Sequence, residues 1–257
     1  MSLSGHVALV TGGGSGIGAS TARLLAERGA AVLVADLNEA GATSVADTIA
    51  AAGGRAAPFR MNVAEEAEAA AAVAAAERSF GPLTLAVCNA GITDRSPALD
   101  MTRAAFERIV TTNLTGCFVS AQAAARAMVA HGKGGRIVTI SSVSGQFGGT
   151  GRVAYGASKG GIINMTRVLA MEWAEHDILV NCVAPGPTQI ARTAHGPRQR
   201  AAFLNRMAMK RYATPEDIAR GVAFLCSEDA GFVTGHVLNV DGGFAAAGVL
   251  YDPSEGD

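Results

Sequence analysis

Seven short apolar runs recur along the chain, and the first six are separated by stretches long enough to form a helix. The runs are rich in valine, leucine, isoleucine and alanine, and polar residues or glycines interrupt them, as is typical of buried strands. In chain order they read HVALVTG, AAVLVAD, RAAPFRMNV, LTLAVCNAG, GRIVTISS, ILVNCVAPG and HVLNVDGG. Strands that are connected through helices pair in parallel. The pattern therefore predicts an α/β, doubly wound fold with a seven-stranded parallel sheet flanked by helices.

The stretches between the runs give no sign of a second domain. The segment EEAEAAAAVAAAERSFG looks like low-complexity sequence, but alanine has the highest helix propensity and charged residues bracket it, so it is predicted to be a helix. No repeat and no linker rich in proline, serine and glycine divides the chain. A length of 257 residues suits one large α/β domain. Residues 1–257 are therefore expected to form a single domain.

Composition and charge exclude several classes of protein. A net charge of -1 gives no general attraction to nucleic acid. No apolar run approaches the roughly 18 residues of a membrane span. The four cysteines stand singly in apolar surroundings, without the close pairs of disulfide frameworks or zinc sites. We therefore expect a cytoplasmic protein with buried thiols and no metal, which binds neither nucleic acid nor membrane.

A glycine-rich turn, LVTGGGSGIGAS, follows the first run. Gly12, Gly16 and Gly18 let the main chain turn tightly, and Ser15 and Ile17 lie between them. The turn opens the first predicted helix, where free backbone N–H groups and the helix dipole favour a phosphate. The order of strand, glycine turn and helix is typical of a dinucleotide-binding, Rossmann-type fold, and an ordinary glycine turn is the alternative.

An acidic residue ends the second run. Asp36 follows Gly16 by 20 residues, where a carboxylate can accept hydrogen bonds from the ribose hydroxyls of a dinucleotide. The same charge would repel a 2′-phosphate, and Leu37 and Asn38, which follow, supply no compensating positive charge. This pattern favours NAD as the cofactor.

A tyrosine and a lysine lie four residues apart in VAYGASKGG. On a helix this spacing places Tyr155 and Lys159 on one face, one turn apart. Two surface groups of an amphipathic helix would show the same spacing, so the pair alone does not indicate catalysis.

Four motifs taken in order resemble the short-chain dehydrogenase/reductase family. They are TGGGSGIG, Asn-Ala-Gly at 89–91, Ser-Ser at 141–142 and YGASK at 155–159, and the resemblance covers residues 5–243. It implies a secondary alcohol or ketone as the substrate and a nicotinamide cofactor that carries the hydride.

The resemblance also implies catalytic roles for four residues. Tyr155 would be the general acid/base that exchanges a proton with the substrate oxygen. Lys159 would favour the phenolate electrostatically and hold the nicotinamide ribose. Ser142 would donate a hydrogen bond to the reacting oxygen, and Asn113 would support a proton relay through water to the lysine. Ordinary polar groups at helix and strand ends are the alternative.

Further cofactor-binding residues are carried over by the resemblance. The Asn-Ala-Gly and Pro-Gly segments would line the adenosine and nicotinamide sides, although simple turn chemistry requires the same residue types. Two positions depart from the family pattern, because Asn62 replaces an aspartate near the adenine and Ile190 replaces a threonine near the carboxamide. Thr188 is taken as the substitute for that threonine. The implied residues are Asn62, Val63, Asn89, Ala90, Gly91, Tyr155, Lys159, Pro185, Gly186 and Thr188.

Residues 187–212 correspond to the segment that closes over the substrate in the family. No acidic residue lies between Asp177 and Glu216, so the segment is strongly basic. Its cations are Arg192, Arg198, Arg200, Arg206, Lys210 and Arg211. A cationic lid, joined by Arg152, would suit an anionic substrate, but a solvated helix face is the favoured interpretation. His195 alone is a poor metal candidate.

Taken together, the residues predict NAD(H)-dependent interconversion of a secondary alcohol and a ketone. A 3-oxoacyl-thioester reductase is an alternative, because a basic lid would suit an acidic carrier, although Asp36 argues against the phosphorylated cofactor. A non-catalytic dinucleotide-binding module would be expected to lack Tyr155, Lys159 or Ser142, and all three are present. A homotetramer is expected from the resemblance, from the small residues of the helix that follows Tyr155 and from the C-terminal segment FAAAGVLY, which could cover a neighbouring subunit.

Overall fold

The computed structural model describes residues 1–191, 195–248 and 250 of the chain. Its centre is a seven-stranded sheet with the spatial order β3-β2-β1-β4-β5-β6-β7, in which every neighbouring pair is parallel. All seven predicted strands are confirmed. Their bounds are β1 Val7–Thr11, β2 Ala31–Asp36, β3 Arg55–Arg60, β4 Leu85–Cys88, β5 Gly135–Ile140, β6 Ile178–Pro185 and β7 Val237–Val240.

Helices connect the strands and cover both faces of the sheet. Their bounds are α1 Gly16–Glu27, α2 Glu39–Ala51, α3 Glu66–Phe80, α4 Arg103–Val110, α5 Gly116–His131, α6 Val153–Trp173, α7 Pro197–Asn205 and α8 Pro215–Leu225. The alanine-rich segment forms α3, as predicted. Within the described part of the chain, no helix combines the length and the apolar character that crossing a bilayer requires.

Side chains of successive strand residues point to opposite faces, so each central strand contributes to two apolar cores. In β1, Leu9 packs into the core under α3, α5 and α6, whereas Ala8 and Val10 pack into the core under α1, α2 and α8. Burial on both faces explains why the strands are continuous apolar runs rather than alternating ones. The doubly wound fold is thus confirmed.

The strand order reverses between β1 and β4. The chain builds the sheet outward from β1 to β3 and then returns to place β4 on the other side of β1. Loops that leave the carboxyl ends of these two strands diverge, which opens a crevice at this edge of the sheet.

The four cysteines lie inside the protein. Cys88, Cys117, Cys182 and Cys226 are buried and free, as the sequence predicts. Burial raises the pKa of Cys182 to about 11 and the pKa of Cys226 to about 12.

Candidate active site

A cleft of about 1190 Å³ lies at the carboxyl edge of the sheet. It exceeds the roughly 300–1,000 Å³ of pockets for single drug-sized ligands. The glycine turn and the ends of β2, β4, β5 and β6 line it, together with the start of α6 and part of the lid segment. The cleft therefore has room for a dinucleotide and a second small molecule.

The glycine turn closes against the end of β4. Gly12 has a positive φ of +63°, and a Cβ there would lie 2.8 Å from the Cα of Ala90. A Cβ on Gly18 would overlap the carbonyl oxygen of Gly12. The side-chain amide of Asn89 donates to the carbonyl oxygens of Thr11 and Gly12 at 3.0 and 3.1 Å. Asn89 thus fixes the turn, and only glycine fits at positions 12 and 18.

Asp36 lies beside this turn with both carboxylate oxygens held by the main chain. Oδ2 accepts the N–H of Gly14 and Oδ1 accepts the N–H of Asn38, each at 2.9 Å. A carboxylate has about four lone-pair sites, so each oxygen retains acceptor capacity toward the cleft. The carboxylate can therefore accept further hydrogen bonds from a ligand in the cleft.

Ser142, Tyr155 and Lys159 line the cleft beyond the end of β5. The ammonium of Lys159 is buried, donates to the carbonyl oxygen of Ile140 at 2.7 Å and lies 5.7 Å from the centre of the Tyr155 ring. Because an ammonium has three donors, two remain for a ligand or the phenol. Ser142 Oγ accepts the N–H of Ser144 at 3.1 Å, so its proton is available to an oxygen in the cleft.

Asn113 lies in a π-helical turn, Thr111–Thr115, between α4 and α5. Its side chain is fully buried and joins three partners: Oδ1 accepts the N–H of Ile92 at 2.8 Å, and Nδ2 donates to the carbonyl oxygen of Ile92 at 2.9 Å and to Ser158 Oγ at 3.1 Å. These bonds hold the segment after β4 against α6. The role of Asn113 in a proton relay stays a prediction.

The two positions that depart from the family pattern both line the cleft. Asn62 Oδ1 accepts the N–H of Ala64 at 3.1 Å, which leaves its amide donors for a ligand. Thr188 is 7% exposed and donates to the carbonyl oxygen of Gly186 at 3.0 Å. Ile190 packs on the glycine turn, because a Cβ on Gly16 would lie 3.3 Å from its Cγ2. Val63, Gly91 and Pro185 also line the cleft.

Aromatic side chains organise the lid. His195 stacks on Phe203 with ring centres 4.9 Å apart, and its Nδ1 lies 2.7 Å from the Tyr212 hydroxyl. Phe203 in turn packs near Phe244, at 6.2 Å between ring centres. Among the described residues, no group of three or more His, Cys, Asp or Glu could hold a metal ion.

The lid cations mostly make structural contacts. Arg200 stacks on Tyr212, Arg206 lies over Phe147 and Phe244, and Arg211 pairs with Asp217 at 2.7 Å. Lys210 donates to main-chain carbonyls at the end of α7. Arg192 lies outside the described residues.

Comparisons with known proteins match nearly the whole chain. A family model described as enoyl-(acyl carrier protein) reductase matches residues 12–245. A curated cis-4-hydroxycyclohexanecarboxylate dehydrogenase from Sinomonas cyclohexanicum is 43% identical, over 94% of this chain and 97% of that protein. The crystal structure of a short-chain type dehydrogenase/reductase from Mycobacterium marinum superposes with a TM-score of 0.92 at 36% identity, and the match covers 96% of this chain and 98% of that one.

The chain belongs to the short-chain dehydrogenase/reductase family.

Membership confirms the resemblance and makes the chain an oxidoreductase that acts on CH–OH groups. A 7α-hydroxysteroid dehydrogenase of known structure, in complex with NADH and 7-oxo glycochenodeoxycholic acid, has a TM-score of 0.90 at 34% identity, with 94% of this chain and 95% of that one covered. A nicotinamide dinucleotide is therefore the cofactor class, and the glycine turn and Asp36 fit it.

Arg95 lines the cleft of this short-chain dehydrogenase, although the sequence motifs do not indicate it. Arg95, which follows the Asn-Ala-Gly motif, reaches across the cleft wall to Gln199 of α7 and to Nε2 of His195. It lies outside the four motifs, so the sequence pattern does not indicate it. Its position only a few residues after Gly91 is the one sequence feature that could have suggested a place in the cleft.

Proposed function

We propose that this protein is an NAD(H)-dependent dehydrogenase that interconverts a secondary alcohol and a ketone, with Tyr155 as the general acid/base. The observation that carries the proposal is the placement of two groups along one cleft. Asp36 ends β2, whereas Ser142 follows β5, three strands away. With about 4.8 Å between strands, the two ends lie roughly 14 Å apart. An extended dinucleotide would span this separation, with Asp36 holding its adenosine end and Tyr155 and Lys159 at its nicotinamide end.

The residues of the chain supply binding and proton transfer. The bound nicotinamide supplies the hydride acceptor or donor. In the oxidative direction the Tyr155 phenolate removes the alcohol proton, and the nearby Lys159 ammonium stabilises the negative oxygen. Ser142 donates a hydrogen bond to the same substrate oxygen and so fixes its direction. The lid, residues 187–212, would cover the substrate and exclude water.

Two other functions deserve comparison. A 3-oxoacyl-thioester reductase is favoured by a relative, the 3-oxoacyl-[acyl-carrier-protein] reductase of Vibrio cholerae, which is 38% identical over 95% of this chain and 98% of that protein. Against it stand Asp36 and the lid, whose cations contact aromatic rings and carboxylates of the protein itself. A non-catalytic binding module has no support from the cleft, since Ser142, Tyr155 and Lys159 all line it.

NADH formation with a panel of alcohols tests the proposal. The panel comprises cyclohexanol, cis-4-hydroxycyclohexanecarboxylate, a hydroxysteroid, a polyol and a 3-hydroxyacyl thioester. Turnover with a secondary alcohol is expected, and it should exceed turnover with the thioester. Saturable NAD binding without turnover of any alcohol or of the corresponding ketones would favour the binding module.

We further propose a cytoplasmic homotetramer. Four buried, free thiols fit a reducing compartment. Helices α5 and α6 cover the same sheet face and expose Phe118, Val129, Val168 and Met171, the last at 83%. Apolar side chains grouped in this way are typical of a subunit interface. Of the C-terminal segment, residues 249 and 251 lie outside the described chain.

Light scattering after size-exclusion chromatography should give the mass of four chains at micromolar concentration. Met171→Glu would place charges in the interface and is expected to yield smaller species. Phe232→Glu is the matched control, because Phe232 is a fully exposed apolar residue that belongs to neither α5 nor α6. A monomeric wild type would contradict the proposal, and equal effects of the two variants would remove α6 from the interface.

A further inference from the structure

Two arginines line the cleft that holds the proposed acid/base. The Arg152 guanidinium lies 5.1 Å from the centre of the Tyr155 ring, and its Nη1 donates to Thr93 Oγ1. Arg95 comes from the loop after β4 and contacts His195 and Gln199 of the lid. The cleft is lined by all of Thr93, Arg95, Arg152, Tyr155 and His195. The loop after β4 and the start of α6 therefore bring two guanidinium groups into the cleft, one of them beside the Tyr155 ring.

Among the described residues, no carboxylate pairs with the guanidinium of either arginine. Within the part of the chain that the structure describes, neither Arg95 nor Arg152 forms an ion pair. Of the acidic side chains in the same cleft wall, Asp94 accepts the main-chain N–H of Arg95 at 2.7 Å and faces the guanidinium of Arg108 at 3.8 Å, and Glu107 pairs with Arg103 at 2.6 Å.

Burial and neighbouring positive charges lower the pKa values of Arg152 and His195. Burial lowers the pKa of Arg152 from its ordinary value, and the neighbouring Arg95 lowers it further. Burial also lowers the pKa of His195, as do Arg95, Arg152 and Arg200. Each group thus carries a cost that an anion placed between them would relieve.

We propose that Arg95 and Arg152 form a clamp for a carboxylate or sulfonate on the substrate, which makes the natural substrate a compact hydroxy acid or keto acid. The inference rests on the proposed dehydrogenase function and specifies its substrate class. A guanidinium binds such an anion through two parallel N–H donors. Because Arg152 lies against the Tyr155 ring, only one six-membered ring or a few carbons can separate the acid from the reacting carbon.

A clamp formed by two residues can be distinguished from a diffuse electrostatic attraction exerted by the whole basic lid. Arg206 lies over the rings of Phe147 and Phe244, and Arg211 pairs with Asp217 of α8, whereas Arg95 and Arg152 line the cleft itself. Diffuse attraction would fall with ionic strength and would respond to any lid cation. A bidentate clamp should depend on the identity of two residues.

The test compares 4-hydroxycyclohexanecarboxylate with its methyl ester, which keeps the shape and removes the charge. The readout is the ratio of kcat/KM for the acid to kcat/KM for the ester, in which any defect common to both substrates cancels. We expect the ratio to exceed one in the wild type. Arg152→Gln and Arg95→Gln should each lower it about ten- to a hundredfold, the worth of hydrogen bonds to a charged group.

Arg198→Gln is the matched control, because Arg198 is an exposed cation of the same lid segment. Its ratio should stay within about threefold of the wild type, since a surface charge in water contributes little. Arg152→Lys, which keeps the charge and loses the planar fork, should give an intermediate ratio. An equal effect of Arg198→Gln would overturn the clamp in favour of diffuse attraction, and a wild-type ratio of one or less would overturn it outright.

Binding without turnover separates this inference from the proposed function. Calorimetry measures 4-oxocyclohexanecarboxylate and its methyl ester on protein saturated with NAD, a combination that cannot react. Tighter binding of the acid, lost in both arginine variants, supports the clamp even if no alcohol is oxidised. If the variants weaken NAD binding instead and leave the acid preference unchanged, the arginines serve the cofactor and the clamp is wrong.

Discussion

Substitution of Tyr155 by phenylalanine is expected to lower kcat by at least about 10²- to 10⁴-fold, the usual worth of general acid/base catalysis. The phenyl ring keeps its packing against Arg152 and Lys159, which lie 5.1 and 5.7 Å from the ring centre. Only the transferable proton is lost. The dissociation constant for NAD should therefore remain within a few-fold of the wild-type value, as measured by calorimetry or by fluorescence of bound NADH.

Tyr212→Phe is the matched control for this experiment. Tyr212 is a buried tyrosine of the lid whose hydroxyl bonds to His195 at 2.7 Å, so this variant loses a phenolic hydroxyl near the cleft without losing the proposed acid/base. Its kcat should fall less than about tenfold, because one neutral hydrogen bond is worth about 0.5–1.5 kcal/mol. If Tyr155→Phe retained more than a tenth of wild-type kcat on a good substrate, another group would be the acid/base.

Substitution of Asp36 by alanine is expected to lower kcat/KM for NAD and to raise kcat/KM for NADP, so that the two values become more similar. NAD loses the carboxylate that would accept its ribose hydroxyls, and NADP loses a repulsion. Two like charges about 4 Å apart repel by about 1 kcal/mol in water and about 4 kcal/mol at an effective dielectric constant of 20. The wild type should therefore prefer NAD by roughly ten- to a thousandfold.

Asp36→Asn separates charge from geometry. The Asp36 carboxylate also accepts a hydrogen bond from the N–H of Gly14, so the alanine variant removes a contact of the glycine turn as well as the charge. Asparagine keeps an acceptor oxygen and removes the charge, so it should relieve the repulsion of NADP with a smaller loss for NAD. Equal wild-type values for the two cofactors, or a ratio that neither variant changes, would remove Asp36 from its role.

Much of the fold can be predicted from the sequence, because strands that are buried on both faces of a sheet have a simple sequence pattern. Strands such as β1 and β2 are continuous apolar runs, and the residues that end them fall at one edge of a parallel sheet. That rule alone brings the glycine turn, Asp36 and Ser142 to one cleft. The spacing of Tyr155 and Lys159 then places both on the face of α6 that borders it.

The remaining features depend on contacts between distant segments. Arg95 meets His195 across 100 positions of sequence, and nothing local marks either residue. The π-helical turn around Asn113 is stabilised by bonds to Ile92 and Ser158, which belong to other segments. The lid cations are equally ambiguous, because Arg206 would appear the same in sequence whether it faced solvent or lay over Phe147.

The four buried cysteines have a practical consequence for studying the lid. Alkylating reagents attack thiolates, and groups such as Cys182 and Cys226, with pKa values of about 11 and 12, remain protonated and inaccessible at neutral pH. The native cysteines are therefore expected to react little with maleimides. An exposed position on α7, for example through Arg198→Cys, would accept a single fluorophore, and its emission would follow the opening and closing of the lid during turnover in real time.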